Sequence, residues 1–192
     1  MEKVTASELS LERRWSNQSR LLASIYHQTT NEFITSTPYS MGLIQYFNTG
    51  RTHADGFELE LEHHWENSMR LRTSYAYQDS RDTNGNWAIN SPRHLWKLNL
   101  STPLLSNALR AGLEVQAVST RNSGINSQLS GYTISNLTVS TNHLLPNVDI
   151  SLTARNLFDK RYRNIAPDYS APITSIAQDG RNFWLQLAYG FK

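Results

Sequence analysis

Apolar and polar residues alternate one by one along most of this chain, and that period of two fixes what it can become. Leu9 and Leu11 alternate with Glu8, Ser10 and Glu12, and Leu21, Ala23 and Ile25 keep the same beat. Phe57, Leu59 and Leu61 face away from Glu58, Glu60 and Glu62, and Met69, Leu71, Tyr75 and Tyr77 away from Arg70, Arg72 and Ser74. The pattern repeats at Trp96/Leu98/Leu100, Leu109/Ala111/Leu113/Val115, less regularly over Tyr132 to Val139, at Val148/Ile150/Leu152, and at Phe183/Leu185/Leu187/Tyr189/Phe191. Nowhere is a helical period sustained. The chain is expected to be all-β, with about nine antiparallel up-and-down strands.

The connections sort into two lengths. Links at 16–20, 66–68, 103–107 and 142–147 are tight, while those near 34–50, 81–92, 120–130 and 164–180 are long and rich in Gly, Asn, Ser and Pro. Short and long alternate strictly, so every long loop is expected at one end of the sheet, as in an outer-membrane barrel with short periplasmic turns and long outer loops. One hairpin fixes its own register. Phe57, Leu59 and Leu61 share a face with Tyr77, Tyr75 and Thr73 only if opposed residue numbers have an even sum. A three-residue turn at Glu66-Asn67-Ser68 satisfies this, opposing Phe57 to Tyr77 and His64 to Arg70, and it needs a left-handed residue at Asn67 or Ser68.

Totals narrow the class. In 192 residues of net charge +2 and mean hydropathy −0.52, no stretch approaches the roughly eighteen apolar residues of a membrane helix. There is no cysteine, hence no disulfide and no thiolate metal site. Interspersed charges give no basic footprint for nucleic acid. The start, "MEKVTASELS", lacks the apolar region of a signal peptide, so either the chain stays inside the cell or the natural chain begins upstream of Met1. A soluble barrel would show the same alternation, but three features favour a membrane. Polar faces carry charges of both signs, strands have the length of a tilted crossing, and aromatics gather at strand ends. Trp15, Trp65, Tyr189 and Phe191 mark the short-turn end, and Tyr26, Tyr77, Tyr132, Tyr162 and Phe183 the long-loop end.

Nine strands leave the first and last running the same way, whereas bacterial single-chain barrels have even numbers. Further strands are expected before residue 1. The sequence "ARNLFDKRYRN", followed by "QDGR" and "NFWLQLAYGF", resembles the end of the barrel of TonB-dependent outer-membrane receptors. So do "YFNTGRTHADGFELELEHHW", "SPRHLWKLNL" and "SGYTISNLTVS", in the family's order. The resemblance implies a 22-strand barrel around an N-terminal plug, with residues 1–192 its C-terminal portion and the plug and TonB box absent. It further implies the outer membrane of a Gram-negative bacterium and TonB-dependent uptake of a scarce ligand, an iron-siderophore complex in first place. Outer-membrane lipid, the missing plug and barrel strands, TonB and the barrel-assembly machinery are the implied partners. Tyr189 and Phe191 resemble the C-terminal signal read by that machinery, although Lys192 follows the closing aromatic.

Candidate sites are few. His63 and His64 are neighbours on a strand and point to opposite faces, so they cannot chelate one ion. The Glu58/Glu60/Glu62 row is expected to be a solvated ladder paired with Arg70 and Arg72. No Gly-x-Ser-x-Gly elbow supports an enzyme, and no cofactor or metal is expected. Ligand contact belongs to the long loops, which offer Tyr39, Met41, Tyr46, Phe47, Trp87, Asp168 and Tyr169. Within "ARNLFDKRYRN", the phase of Val148, Ile150, Leu152 and Ala154 puts the Asn156 amide outward. Either a bulge there re-aims it or the rim lets it bond local backbone; Asp159, Lys160 and Arg161 then stand in water and Tyr162 marks the headgroup level. Two other readings stay open, a small autonomous outer-membrane barrel with an adhesion or structural role and a soluble ligand-binding β-barrel. A membrane barrel predicts heat-modifiable gel migration after detergent extraction; an aqueous monomer that binds no detergent contradicts it.

Overall fold

The computed structural model describes all residues except 39–42, 106, 125–126, 142–146, 167–174 and 192. Thirteen strands run in chain order: β1 (Lys3–Ser16), β2 (Ser19–Pro38), β3 (Ile44–His64), β4 (Arg70–Arg81), β5 (His94–Leu104), β6 (Leu109–Val118), β7 (Arg121–Asn122), β8 (Gln128–Leu129), β9 (Tyr132–Thr141), β10 (Val148–Arg155), β11 (Arg163–Ile165), β12 (Ser175–Ala177) and β13 (Asn182–Tyr189). Nine of them form one antiparallel sheet in the order β1-β2-β3-β4-β5-β6-β9-β10-β13. The two small pairs, β7-β8 and β11-β12, are built within long loops. The sheet is open. Its edge strands β1 and β13 run the same way and do not pair with each other.

Register keeps the alternation in phase across all nine strands. One outward row passes from His63 through Leu71, Leu100, Leu113, Leu137 and Ala154 to Phe183. Parallel to it, Thr102, Ala111, Val139, Leu152 and Leu185 make the next. The expected hairpin is formed as drawn, with Phe57 opposite Tyr77 and His64 opposite Arg70. Trp65 N–H donates to Met69 O at 2.9 Å, and Ser68, at φ 64, is the left-handed residue. Asn67 supports it by accepting from Met69 N–H through Oδ1 at 3.1 Å.

Almost nothing is buried between layers. Val118 and Ala166 are the only buried apolar residues described, while Leu9, Leu11, Leu185 and Leu187 are each at least 66% exposed. A soluble β-barrel would enclose these side chains; here they form an exposed apolar band along one face of the sheet, as on a barrel that faces hydrocarbon. Aromatics cap the band. Phe57 stacks on Tyr77 and lies tilted against Tyr75, with ring centroids 5.7 and 5.8 Å apart, Tyr75 OH meets His94 Nδ1 at 2.7 Å, and Trp96 Nε1–H donates to Thr73 Oγ1 at 3.0 Å.

The structure departs from the sequence reading in three places. The segment 34–50 is not a long loop: β2 and β3 continue as a paired hairpin up to Pro38 opposite Ile44. Backbone pairing persists above the membrane where hydropathic alternation has ceased, so periodicity could not signal it. Tyr26, Tyr132 and Tyr162 do not belong to a lipid-facing girdle. Tyr26 lies opposite Glu8 and Gly56, Tyr132 opposite Val118, and Tyr162 stacks on Tyr132 with 4.4 Å between ring centroids. Gly56 is required there, because a Cβ would lie 2.5 Å from the Tyr26 ring. Finally, among the described residues Glu58 and Arg70 make no ion pair; Arg20 of β2 takes the place assigned to Arg70.

A charge in the outward band tests which face meets lipid. In phospholipid vesicles, Leu113→Arg should cost about 2–4 kcal/mol of unfolding free energy. Gln116→Arg on the inner face should change it by less than about 0.5 kcal/mol. Urea unfolding followed by tryptophan fluorescence reads both.

Candidate functional site

Two surfaces carry organised polar chemistry, the inner wall of β1–β4 and the roof of loops above β4–β10. On the wall, opposite charges alternate across four strands. Arg20 Nη1 donates to Glu60 Oε1 at 3.0 Å and Arg72 Nη2 to Glu60 Oε2 at 2.7 Å. Glu12 receives Arg14 at 2.7 Å and Arg20 at 3.2 Å, and Glu62 lies 3.6 and 3.4 Å from Arg20 and Arg72. Within this cluster three acids and three arginines balance, which leaves it neutral and hydrogen-bonded. Farther round, Asn136 donates to Glu114 at 3.2 Å, Thr138 and Thr153 share a 2.9 Å bond, and Arg155 lies 4.7 Å above the Trp184 ring.

At the roof, Arg121 is the hub. It is only 5% exposed, and its guanidinium donates to Asn90 Oδ1 at 3.3 Å, Asn164 Oδ1 at 3.2 Å and Arg163 O at 2.9 Å. Its carbon lies 5.4 Å from the Tyr132 ring centroid. One side chain thereby joins loops 82–93, 119–131 and 156–181. Next to it, Asn90 N–H donates to Asn122 O at 2.9 Å and Asn122 Nδ2 to Trp87 O at 2.5 Å. A guanidinium holds five donors in a rigid planar fork, which reaches three spread acceptors and stacks on a ring together, whereas a compact ammonium has three donors around one nitrogen. Tyr162, packed beside Tyr132, is held above the usual phenol range by burial first and then by Tyr132 and Asp179, so it stays a neutral donor.

A second knot ends β10. Asn156 leaves the strand at φ 48, is 5% exposed, and turns its amide onto backbone: Oδ1 accepts Lys160 N–H at 2.8 Å, while Nδ2 donates to Lys160 O at 2.9 Å and Asp179 O at 3.1 Å. Its own N–H donates to Asn136 Oδ1, and Leu157 N–H to Ser135 O at 2.7 Å. The rim alternative of the sequence reading is therefore the one realised. Asp159, Lys160 and Arg161 are exposed as expected.

The proposed ligand residues fare unequally. Tyr39, Met41, Asp168 and Tyr169 lie outside the described residues. Trp87 is half-buried in its own loop, where Nε1–H donates to Ser91 O at 2.8 Å and Arg93 lies 5.1 Å from the ring centroid. Tyr46 is 67% and Phe47 42% exposed on the upper part of β3. The 82–93 loop touches β3 at Arg51, whose N–H donates to Thr83 Oγ1, so Tyr46 stands roughly 16 Å farther along the strand. Phe191 is 90% exposed and packs edge-on against Tyr189 at 4.8 Å. His63 Nδ1 bonds Ser19 Oγ at 2.7 Å on the outer face, and His64 lies opposite Arg70 on the inner one. Sequence reasoning missed Arg121 and Asn122, whose partners come from loops dozens of residues away.

Removing the hub should loosen the roof and spare the wall. Arg121→Ala should raise amide exchange in 82–93 and 119–131 about tenfold or more, corresponding to about 1.5–3 kcal/mol of lost charge-assisted bonding. Arg121→Lys should rescue little, and strand amides of β1–β4 should exchange as before.

The family model described as TonB dependent receptor-like, beta-barrel, matches residues 1–157. Among solved structures, the chain is similar to the ferric yersiniabactin uptake receptor FyuA of Yersinia pestis, with a TM-score of 0.79 and 19% identity over 100% of this chain and 30% of that one. It is similar to the copper transporter OprC, with a TM-score of 0.78 and 20% identity over 99% and 31% of the two chains. For the ferric-catecholate import receptor Fiu of E. coli the TM-score is 0.77 and the identity 16%, over 99% and 28%. This chain thus spans less than a third of the length of these proteins. No curated protein sequence matches it.

Proposed function

The chain belongs to the TonB-dependent receptor β-barrel family, and we propose that it supplies C-terminal strands of a receptor for active, TonB-dependent uptake of a scarce ligand, an iron-siderophore complex. Its place is the outer membrane of a Gram-negative bacterium, where barrels of this family reside. The observation that carries the proposal is the family match over residues 1–157 of a sheet whose two edges are open. In the complete receptor, additional strands pair with β1 and β13 and an N-terminal plug fills the lumen. The charge cluster of Glu12, Glu60 and Glu62 with Arg14, Arg20 and Arg72 suits such a polar protein filling, because these six charges are already paired with one another. The relatives are receptors and transporters rather than enzymes, and the proposal assigns this chain no catalytic step.

Cargo enters from the roof. FyuA and Fiu are named for ferric-siderophore import and OprC for copper transport, and an iron-siderophore is the proposed cargo here because its bulk and mixed polarity match exposed aromatics beside amides. Tyr39, Met41, Tyr46, Phe47, Trp87, Asp168 and Tyr169 are the proposed contacts, with Arg121 holding the loop that carries Trp87. TonB acts through the N-terminal region. Tyr189 and Phe191 serve as the barrel-assembly signal at the opposite end.

Deletion of the gene should abolish growth on one or more ferric siderophores as sole iron source, and radioactive-iron uptake should fall to background without TonB. Tyr46→Ala should weaken siderophore binding about tenfold, or about 1.4 kcal/mol, at unchanged receptor level. Uptake that persists without TonB, or growth that depends on the gene only for copper, would refute the iron assignment.

A further inference from the structure

The outer face holds a feature that uptake leaves without a role. Near the upper aromatic band, Trp96 lies opposite Ala117 and Ala117 opposite Thr133. One row higher, Ser119 is bonded to His94 through both its N–H and its hydroxyl, at 2.9 and 3.0 Å. The neighbouring position on the β9 side is Gly131, where a Cβ would lie 2.5 Å from the Val118 carbonyl oxygen. Small residues therefore floor a furrow between the aromatic wall of Tyr75, His94 and Trp96 and the turn that carries Lys160.

Both walls are fixed in advance. Tyr75 and His94 are joined at 2.7 Å and Trp96 is tethered to Thr73. Lys160 is clamped through its own N–H and C=O by the buried Asn156 amide. Its side chain is exposed, and among the described residues it pairs with no carboxylate. A rigid apolar furrow facing away from the lumen, at headgroup height, with an unneutralised cation at its mouth, has the complementarity of a chain bearing an anionic head.

We propose that this furrow seats one phosphate-bearing lipid of the outer leaflet, an acyl chain lying over Ala117 and Thr133 and a phosphate on Lys160. The furrow opens on the face of the sheet opposite the Glu60 wall, with the roof residue Tyr132 at its inner margin. Asn156 acts in it as a positioning residue.

The test uses the receptor extracted from outer membranes in detergent, titrated with diphosphoryl lipid A and read by native mass spectrometry. Lys160→Glu and Ala117→Trp should each lower the retained lipid about fivefold, and Lys97→Gln on the inner face should not. Lipid A stripped of its phosphates should bind the parent protein as weakly as diphosphoryl lipid A binds Lys160→Glu. Heat-modifiable migration shows that each variant is folded, and Lys160→Glu decides alone if Ala117→Trp fails that check. Equal retention by Lys160→Glu and the parent protein, or equal binding of the stripped lipid, would overturn the proposal.

Discussion

In hydrocarbon an unpaired backbone N–H or C=O has no water to turn to, and everything else in this sheet follows from that restriction. Each strand must be paired along its whole membrane crossing, and a ladder that shifts only at Arg14/Ser16 and between Asn31 and Ile34 carries one parity from β1 to β13 over the stretches between. Parity then decides chemistry. It sends Leu71, Leu100, Leu113, Leu137 and Phe183 to one side and Glu60, Arg72, Asn99 and Glu114 to the other. Because the sheet has almost no interior of its own, the solvent on each side takes the part that a hydrophobic core plays in a soluble protein.

Irregular backbone is confined to the places where that restriction lapses. Ser68 turns left-handed at the short-turn end, and Asn156 and Asp159 do so where β10 leaves the ladder. In each case a nearby side chain supplies the missing partner: Asn67 to Met69, the Asn156 amide to Lys160 and Asp179, and Asp159 to the N–H of Arg181 at 2.8 Å. The same device at larger scale lets one arginine hold three loops over the sheet. Rigidity at the roof thus comes from polar groups whose bonds were withdrawn from water, not from apolar packing.

How far the sequence could be read follows the same division. Strand number, hairpin register and the rim role of Asn156 were legible because they depend on local parity and turn chemistry. The β2–β3 hairpin above the membrane was not, since hydrogen bonding there continues without hydropathic alternation. Tyr26 was misread although the information was present: if Ile25 faces outward, its neighbour must face inward. Arg121 left no local trace, because Asn90, Asn164 and Arg163 meet it only after three loops have folded. Of the seven proposed contact residues, Trp87 lies in a loop as read, Tyr46 and Phe47 stand on strand β3 instead, and the other four lie outside the described part of the structure.

The unequal strand lengths have a geometric consequence. On one side β2 and β3 stay paired as far as Pro38 and Ile44, well beyond Ile25 and Phe57 at the aromatic band. On the other, β10 and β13 separate after Arg155 and Asn182, one residue beyond Ala154 and Phe183. Thirteen residues of extra paired strand are roughly 40 Å of contour, so the β2–β3 hairpin carries the main ladder far beyond the level at which β10 and β13 part.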